Sequence, residues 1–200
     1  MSVAFSAAKK VLPIAAFYES RCGVTVNSLA ELTTDSNHRV RERCCKMLSY
    51  FMVCLPDRYD HHQRLLPYLL SFYQDHMRST RENAIAAVDY CGKQYEAEHP
   101  DEIIDRRQYG VDGDSHCNLD ARLPSPFETR PRLGARLFVR GNTKRFFAAL
   151  LGELTSWVSK TRERSAELLK TLVLYCEEHL TMDFHQTLPR LVKALQLARS

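Results

Sequence analysis

No apolar run in this chain approaches the ~18–20 residues of a membrane-spanning helix, so none is predicted. The sequence has no N-x-S/T acceptor and no secretory apolar region, and it lacks the C-x-x-C spacing of redox and zinc sites. Its cysteines number seven, an odd count, and five of them fall within helical patterns. That usage implies reduced, buried thiols in a cytosolic protein rather than a disulfide framework. Tryptophan occurs once, at Trp157. Glycine and proline are scarce outside residues 98–141, which hold four of seven glycines and four of eight prolines. A basic stripe is missing too. Basic and acidic residues number 12 and 11 over 1–100, seven and seven over 101–141, and nine and six over 142–200. The net charge of +4 is therefore spread out, which excludes the electrostatic footprint of a nucleic-acid binder.

Catalytic and ligand-binding patterns are equally sparse. Gly110-Val-Asp-Gly113 lacks the lysine and hydroxyl residue that complete a phosphate-binding loop. His61-His62 and the His179/His185 pair lack the i, i+4 spacing with glutamate that zinc hydrolases place on one helix face. Asp112, Asp114, His116 and Asp120 alternate in a loop, but Cys117 and Leu123 stand where a calcium loop needs glycine and a bidentate glutamate. The expectation is no enzyme activity, no cofactor and no metal.

What the sequence does contain is a period of about forty. Arg41, Arg81 and Arg162 each open a helical pattern after a β-branched or hydroxylated residue, 40 and then 81 residues apart. Counted from each arginine, position +3 holds Cys44, Ala84 and Ser165, and +4 holds Cys45, Ile85 and Ala166. Position +7 holds Leu48, Val88 and Leu169, +10 holds Phe51, Cys91 and Leu172, and +14 holds Leu55, Tyr95 and Cys176. Those offsets define one helix face. Leu29, Leu69 and Leu150 align before the arginines, as do Asp35, Asp75 and Ser156. A two-helix unit of this length predicts an all-α fold, an armadillo-like α-solenoid of HEAT-type helix pairs.

The predicted organisation has three parts. Residues 1–97 hold the second helix of one repeat, over 1–19 with a face of Ala4, Phe5, Ala8, Val11 and Ala15, followed by two full repeats. Residues 98–141 form a degenerate repeat with a short helix at Asp101–Tyr109 and a long mobile loop over 110–129. Residues 142–200 form a repeat plus the first helix of the next. Pro67 and Pro189 are expected early in their helices, where proline is tolerated, with Trp157 closing the helix before Arg162. Both ends fall inside a repeat, as in a piece of a longer solenoid, so Leu188, Leu191 and Leu195 should lack a neighbour. With no acid before Glu19, the N-terminus also fits an organelle transit peptide.

The proline–aspartate–arginine spacing of Pro67, Asp75 and Arg81 resembles a HEAT repeat. It assigns Asp35, Arg41, Asp75, Arg81 and Arg162 to a structural ladder in the turns joining helices. Second helices line the concave face of such arrays. Their outward positions offer Arg43, Tyr50, Tyr90, Lys93, Arg164 and Leu174 as the candidate partner-binding surface, a mixture of tyrosine, arginine and aliphatics typical of protein interfaces.

The stretch Arg130–Thr181 carries a narrower resemblance. Arg130-Pro131, Leu133-Gly134, Arg136, Asn142, Lys144, Trp157-Val158, Thr161-Arg162, Ser165-Ala166, Leu168-Leu169, Glu177-Glu178-His179 and Thr181 resemble the HEAT-repeat dynein axonemal assembly factor family. The resemblance is strongest over residues 130–190. It implies a non-enzymatic scaffold for cytoplasmic preassembly of the dynein arms of motile cilia. Implied partners are axonemal dynein chains and other assembly factors or chaperones, with no nucleic acid and no membrane. Ser156 departs from the acid expected beside the tryptophan, and the chain is much shorter than a complete member. A generic HEAT adaptor, of the phosphatase-scaffold or transport-receptor type, is the alternative.

Overall fold

A computed structural model describes residues 17–108, 123–156 and 158–199, whose regular elements are helices apart from one hairpin. The hairpin pairs β1 (Tyr18–Arg21) with β2 (Val24–Asn27), placing Arg21 opposite Val24. Its turn, Cys22-Gly23, has φ of 51° and 79°, the doubly positive backbone of a two-residue hairpin turn. Tyr18 and Glu19 are thus in a strand, not in the helix expected over 1–19. The expected face from Ala4 to Ala15 lies outside the described residues.

After the hairpin the chain builds antiparallel helix pairs. α1 (Ser28–Thr33) precedes α2 (His38–Cys54), and α3 (Arg58–Ser71) precedes α4 (Arg78–Glu98). A short α5 (Pro100–Gln108) follows, then α6 (Leu133–Glu153) and α7 (Ser159–Cys176). A 3₁₀ stretch over Glu177–Asp183 leads into α8 (Phe184–Arg199). Side-chain caps set the starts of α1 and α2: Asn27 Oδ1 accepts from the Ala30 N–H at 3.1 Å and Asn37 Oδ1 from the Arg39 N–H at 3.0 Å.

The three-copy register explains the core. Cys44, Ala84 and Ser165 are buried, as are Leu48, Val88 and Leu169, and Phe51, Cys91 and Leu172. The +4 column drifts, from buried Cys45 through half-buried Ile85 to exposed Ala166. One column thus meets different surroundings in each unit.

Several expectations need correction. The degenerate repeat over 98–141 is not a layer of the array, because α6 packs directly on α4 and α3. The 81 residues between Arg81 and Arg162 therefore count one unit plus an insertion, which α5 and residues 123–132 line among the described residues. α5 matches the short helix expected there, with Pro100 in its first turn, where its missing N–H costs nothing. The boundary expected at residue 142 falls inside α6, which starts at Leu133. Its first eight residues, Leu133 to Arg140, are all buried, as befits a helix surrounded on every side. Pro67 and Pro189 sit in the interiors of α3 and α8, not in their first turns. The helices start earlier than the prolines because Arg58 follows a turn at Asp57 and Phe184 continues the 3₁₀ stretch. Trp157 lies outside the described residues, as does residues 109–122 of the loop.

Candidate functional site

The helix-joining turns bring the predicted ladder residues together in a repeated pattern. Asp75 Oδ1 accepts from the Met77 N–H at 2.8 Å, and Asp35 Oδ1 accepts from the Asn37 N–H at 2.7 Å. Arg81 Nη1 donates to the Asp75 and His76 carbonyls at 2.6 and 3.1 Å, while Arg41 Nη1 donates to the Asp35 and Ser36 carbonyls at 2.7 and 3.2 Å. Arg162 Nη1 donates likewise to the Ser156 carbonyl at 2.9 Å. The arginine six residues on thus ties down the turn in each unit. Between units, one of these turns is linked to the next: Arg41 Nε donates to Asp75 Oδ2 at 2.6 Å. Asp35 caps its own turn, and its charge also acts on Arg41. Ser156 Oγ accepts from the Val158 N–H at 3.2 Å, so the serine keeps the cap and gives up the charge.

Asp75 holds its turn and the unit-to-unit link at once. Burial pushes its carboxyl up, but Arg41 and the Met77 N–H outweigh this and leave it below the ordinary range. Asp75→Ala should destabilise the chain by about 2–3 kcal/mol, the loss of a buried charge-assisted bond. Asp75→Asn, which retains the cap oxygen, should lose about half of that. Thermal melts of both variants check the order.

The candidate partner surface runs over α2, α4 and α7. Arg43, Tyr50, Tyr90, Lys93 and Arg164 are exposed, and Leu174 is half-buried. Lys93 is within 3.3 Å of Asp89 on α4, and Asp89 also takes Arg132 at 2.7 Å. Alongside, a groove of about 570 Å³ opens between α4 and residues 126–132, lined by Arg78, Ile85, Phe127, Arg130 and Arg132. The insertion therefore borders the same face as Tyr90 and Lys93. Phe127 anchors it, with its ring 5.6 Å from Tyr73 and 5.8 Å from Tyr175. Those two tyrosines share a buried hydroxyl–hydroxyl bond of 2.7 Å between the end of α3 and α7.

One constellation was not predicted as a site. Arg130 grips Glu177 with two bonds, Nε to Oε1 at 2.7 Å and Nη2 to Oε2 at 2.8 Å. Arg136 Nη1 and Arg140 Nη2 reach the same Oε2, each at 2.9 Å. Arg136 is fully buried. Glu177 ends α7 with φ +48°, a left-handed conformation disfavoured for a residue with a Cβ. Burial raises its carboxyl, yet the arginines hold it below the ordinary range. Arg130, Arg136 and Glu177 are all among the residues that carried the family resemblance. The signal was thus present, but 41 to 47 residues separate the partners in sequence.

The four buried thiols are not activated as nucleophiles. Burial pushes Cys44, Cys45 and Cys91 up to about 12 and Cys176 up to about 11, so all four are protonated thiols at neutral pH. His61 Nε2 lies 3.0 Å from Asp57 Oδ2 and His62 Nε2 lies 2.9 Å from the Met52 carbonyl. The adjacent histidines thus serve different elements. Among the described residues no three His, Cys, Asp or Glu side chains group to hold a metal. The Asp112–Asp120 set lies outside them. No helix among them is long and apolar enough to cross a membrane.

Known proteins match both halves. Residues 14–106 match the TPR repeats of dynein axonemal assembly factor 5-like proteins, and residues 122–198 match the HEAT-repeat domain of dynein axonemal assembly factor 5. The first half was expected to be HEAT; both repeat types are antiparallel helix pairs, and the forty-residue register alone favoured the longer one. Dynein axonemal assembly factor 5 of Homo sapiens is 30% identical over 169 residues, covering 84% of this chain and 19% of that protein. The proteins of that name from Mus musculus and Xenopus laevis are 29% and 28% identical, covering 84% and 83% of the chain and 19% of each relative. The chain spans about a fifth of the length of these curated relatives. No solved structure matches it. Matched on both sides of its insertion by models of one family, the chain belongs to the dynein axonemal assembly factor 5 family.

Proposed function

We propose that the chain is a non-enzymatic scaffold in the cytoplasmic preassembly of axonemal dynein arms, holding dynein chains and other assembly factors or chaperones. The observation that carries this reading is the match, across both halves, to relatives named for dynein assembly. A stacked helix-pair array whose buried cysteines are unreactive fits a protein that works by presenting surfaces. The surface of α2, α4 and α7, with Arg43, Tyr50, Tyr90, Lys93, Arg164 and Leu174, is the face we assign to partners. Exposed tyrosines and arginines are the residue types that anchor interfaces.

Tagged chain recovered from the cytosol of ciliated cells should co-enrich dynein intermediate or heavy chains. Tyr50→Ala with Tyr90→Ala should reduce that recovery by about fivefold or more, as expected for two interface anchors. Absence of every dynein chain from the wild-type eluate would sink the proposal. An eluate dominated by phosphatase subunits or transport cargo would favour the generic adaptor.

A further inference from the structure

The outward ridge of α2 carries charge of one sign. Arg39, Arg43, Lys46 and Tyr50 follow at intervals of four, three and four residues, which sets them along one side of a helix. All four are exposed, and they lie opposite buried Cys44, Cys45, Leu48 and Met52. α2 has a single acid, Glu42, and Lys46 Nζ already meets its Oε1 at 2.6 Å. Arg41 turns away to Asp75. Arg39 and Arg43 therefore keep most of their field at the surface, Arg43 sharing some of it with Glu42.

The array itself leaves this ridge open. Forty residues on, α4 presents Ser79, Asn83, Ala86 and Tyr90 at the same positions. Three of these are exposed and Asn83 is half-buried, although α4 packs against both α2 and α6. A helix with neighbours on both sides thus keeps the same face uncovered. On α8, by contrast, Leu188 and Leu195 are exposed and Leu191 packs inward, but no described helix lies beyond it. The α4 ridge is uncharged, and past it the charges are mixed: Glu82 meets Arg78, and Asp89 lies between Lys93 and Arg132.

We propose that the α2 and α4 ridges together dock an acidic helix of a partner protein. Its carboxylates run along Arg39, Arg43 and Lys46. One turn further on, an apolar residue packs against Tyr50 and Tyr90, which hold the same position in adjacent helices. This names the partner's chemistry on the face assigned above and rests on that assignment. Charge complementarity commits the partner to acid. A helix fits because acids spaced four and three residues apart repeat the spacing of the ridge, and a helix about 10–12 Å across covers only these two ridges. A nucleic-acid duplex or a membrane surface would extend onto Glu82 and Asp89. A second copy of this chain is disfavoured because acids around the α4–α5 junction are already held, Glu96 by Arg132, Glu98 by Arg58 and Glu102 by Arg106.

The test uses the full chain and a labelled alanine-rich helical peptide with glutamate at positions i, i+4 and i+7 and leucine at i+11. Fluorescence anisotropy should show saturable one-to-one binding that weakens as salt is raised. Arg39→Glu with Arg43→Glu should weaken it by about tenfold or more. The same double variant should instead bind the peptide with lysine in place of glutamate, which the wild type does not bind. Lys144→Glu with Arg145→Glu, an equal change of charge at exposed positions on α6, should leave binding unchanged, and circular dichroism confirms intact helices in both variants. Failure of the glutamate peptide to bind overturns the proposal, as does an equal loss of binding in the α6 variant. So does equally tight binding of a shuffled peptide of the same composition. It is also overturned if the ridge drives self-association, or binding of polyuridylate or phosphatidylserine vesicles, while the peptide stays free. Co-enrichment of dynein chains is read separately, so a failed peptide with intact recovery removes this inference and leaves the scaffold reading standing.

Discussion

Replacing Gly92 with alanine is expected to destabilise the protein by about 3 kcal/mol or more, lowering its melting temperature by roughly 10 °C. On a solvated helix the same change stabilises by about 1 kcal/mol, because alanine is the better helix former. The sign reverses here because α4 and α6 touch backbone to backbone. A Cβ on Gly92 would lie 2.6 Å from Ala135 Cα and 2.7 Å from its Cβ, and it also collides with the Ala135 amide nitrogen. On the other side a Cβ on Gly134 would strike the Gly92 carbonyl and the Glu96 side chain. Main-chain atoms cannot rotate away, so the helices must separate. Separation also breaks the 2.9 Å bond by which the Gly134 N–H donates to Glu96 Oε1, which serves a free amide at the start of α6. Gly141→Ala is the matched control. It lies within α6, the helix on the other side of the crossing, with nothing within 4 Å of its new Cβ, and it should stabilise by about 1 kcal/mol. Equal shifts in the two variants would show that the α4–α6 crossing is not as close as described.

That crossing is also where sequence reasoning lost the fold. Periodicity located the helix pairs, since burial of the +3, +7 and +10 columns follows directly from three copies of one pattern. Spacing alone could not tell a missing repeat from an insertion. Two glycines decide it, and a glycine inside a helical pattern carries no label for the partner it admits. Helix starts were misplaced for a related reason. The tolerance of proline early in a helix predicts starts close to Pro67 and Pro189, yet each helix begins well before its proline and gives up one internal hydrogen bond. The ladder was more legible, because Asp75 and Arg81 act within six residues. The link from Arg41 to Asp75 spans 34 residues and needed the stacking of units to be seen. The arginine cluster lay furthest from reach. Nothing local announces that Arg130, Arg136 and Arg140 will converge on Glu177, and buried arginines are rare enough that a helix face containing two would ordinarily be assigned to solvent.

Glu177→Ala should be the most damaging single change outside the glycine crossing, at about 3–5 kcal/mol, because it removes the carboxylate that three largely buried guanidinium groups share. Glu177→Gly separates the charge from the backbone. Glycine tolerates φ near +48°, where a side chain costs roughly 1–2 kcal/mol. The glycine variant should therefore be less damaged than alanine by about that amount. Acid provides an independent check with a definite sign. The folded carboxyl titrates below its ordinary value of 4.5, so its stabilisation is fully present above that value. It is lost as pH falls through the lower, folded value. Asp75 behaves alike, being held below its ordinary 3.8. The gap in melting temperature between wild type and Glu177→Ala should stay constant from neutral pH down to about 5 and then narrow as the wild-type carboxylate protonates. A gap that widened in acid would mean that Glu177 is not held ionised by its arginines. Equal melting of the alanine and glycine variants would mean that the turn at the end of α7 stores no strain. If the predicted order holds, the end of α7 is a charged clamp that fastens residues 130–140 to the turn ahead of α8.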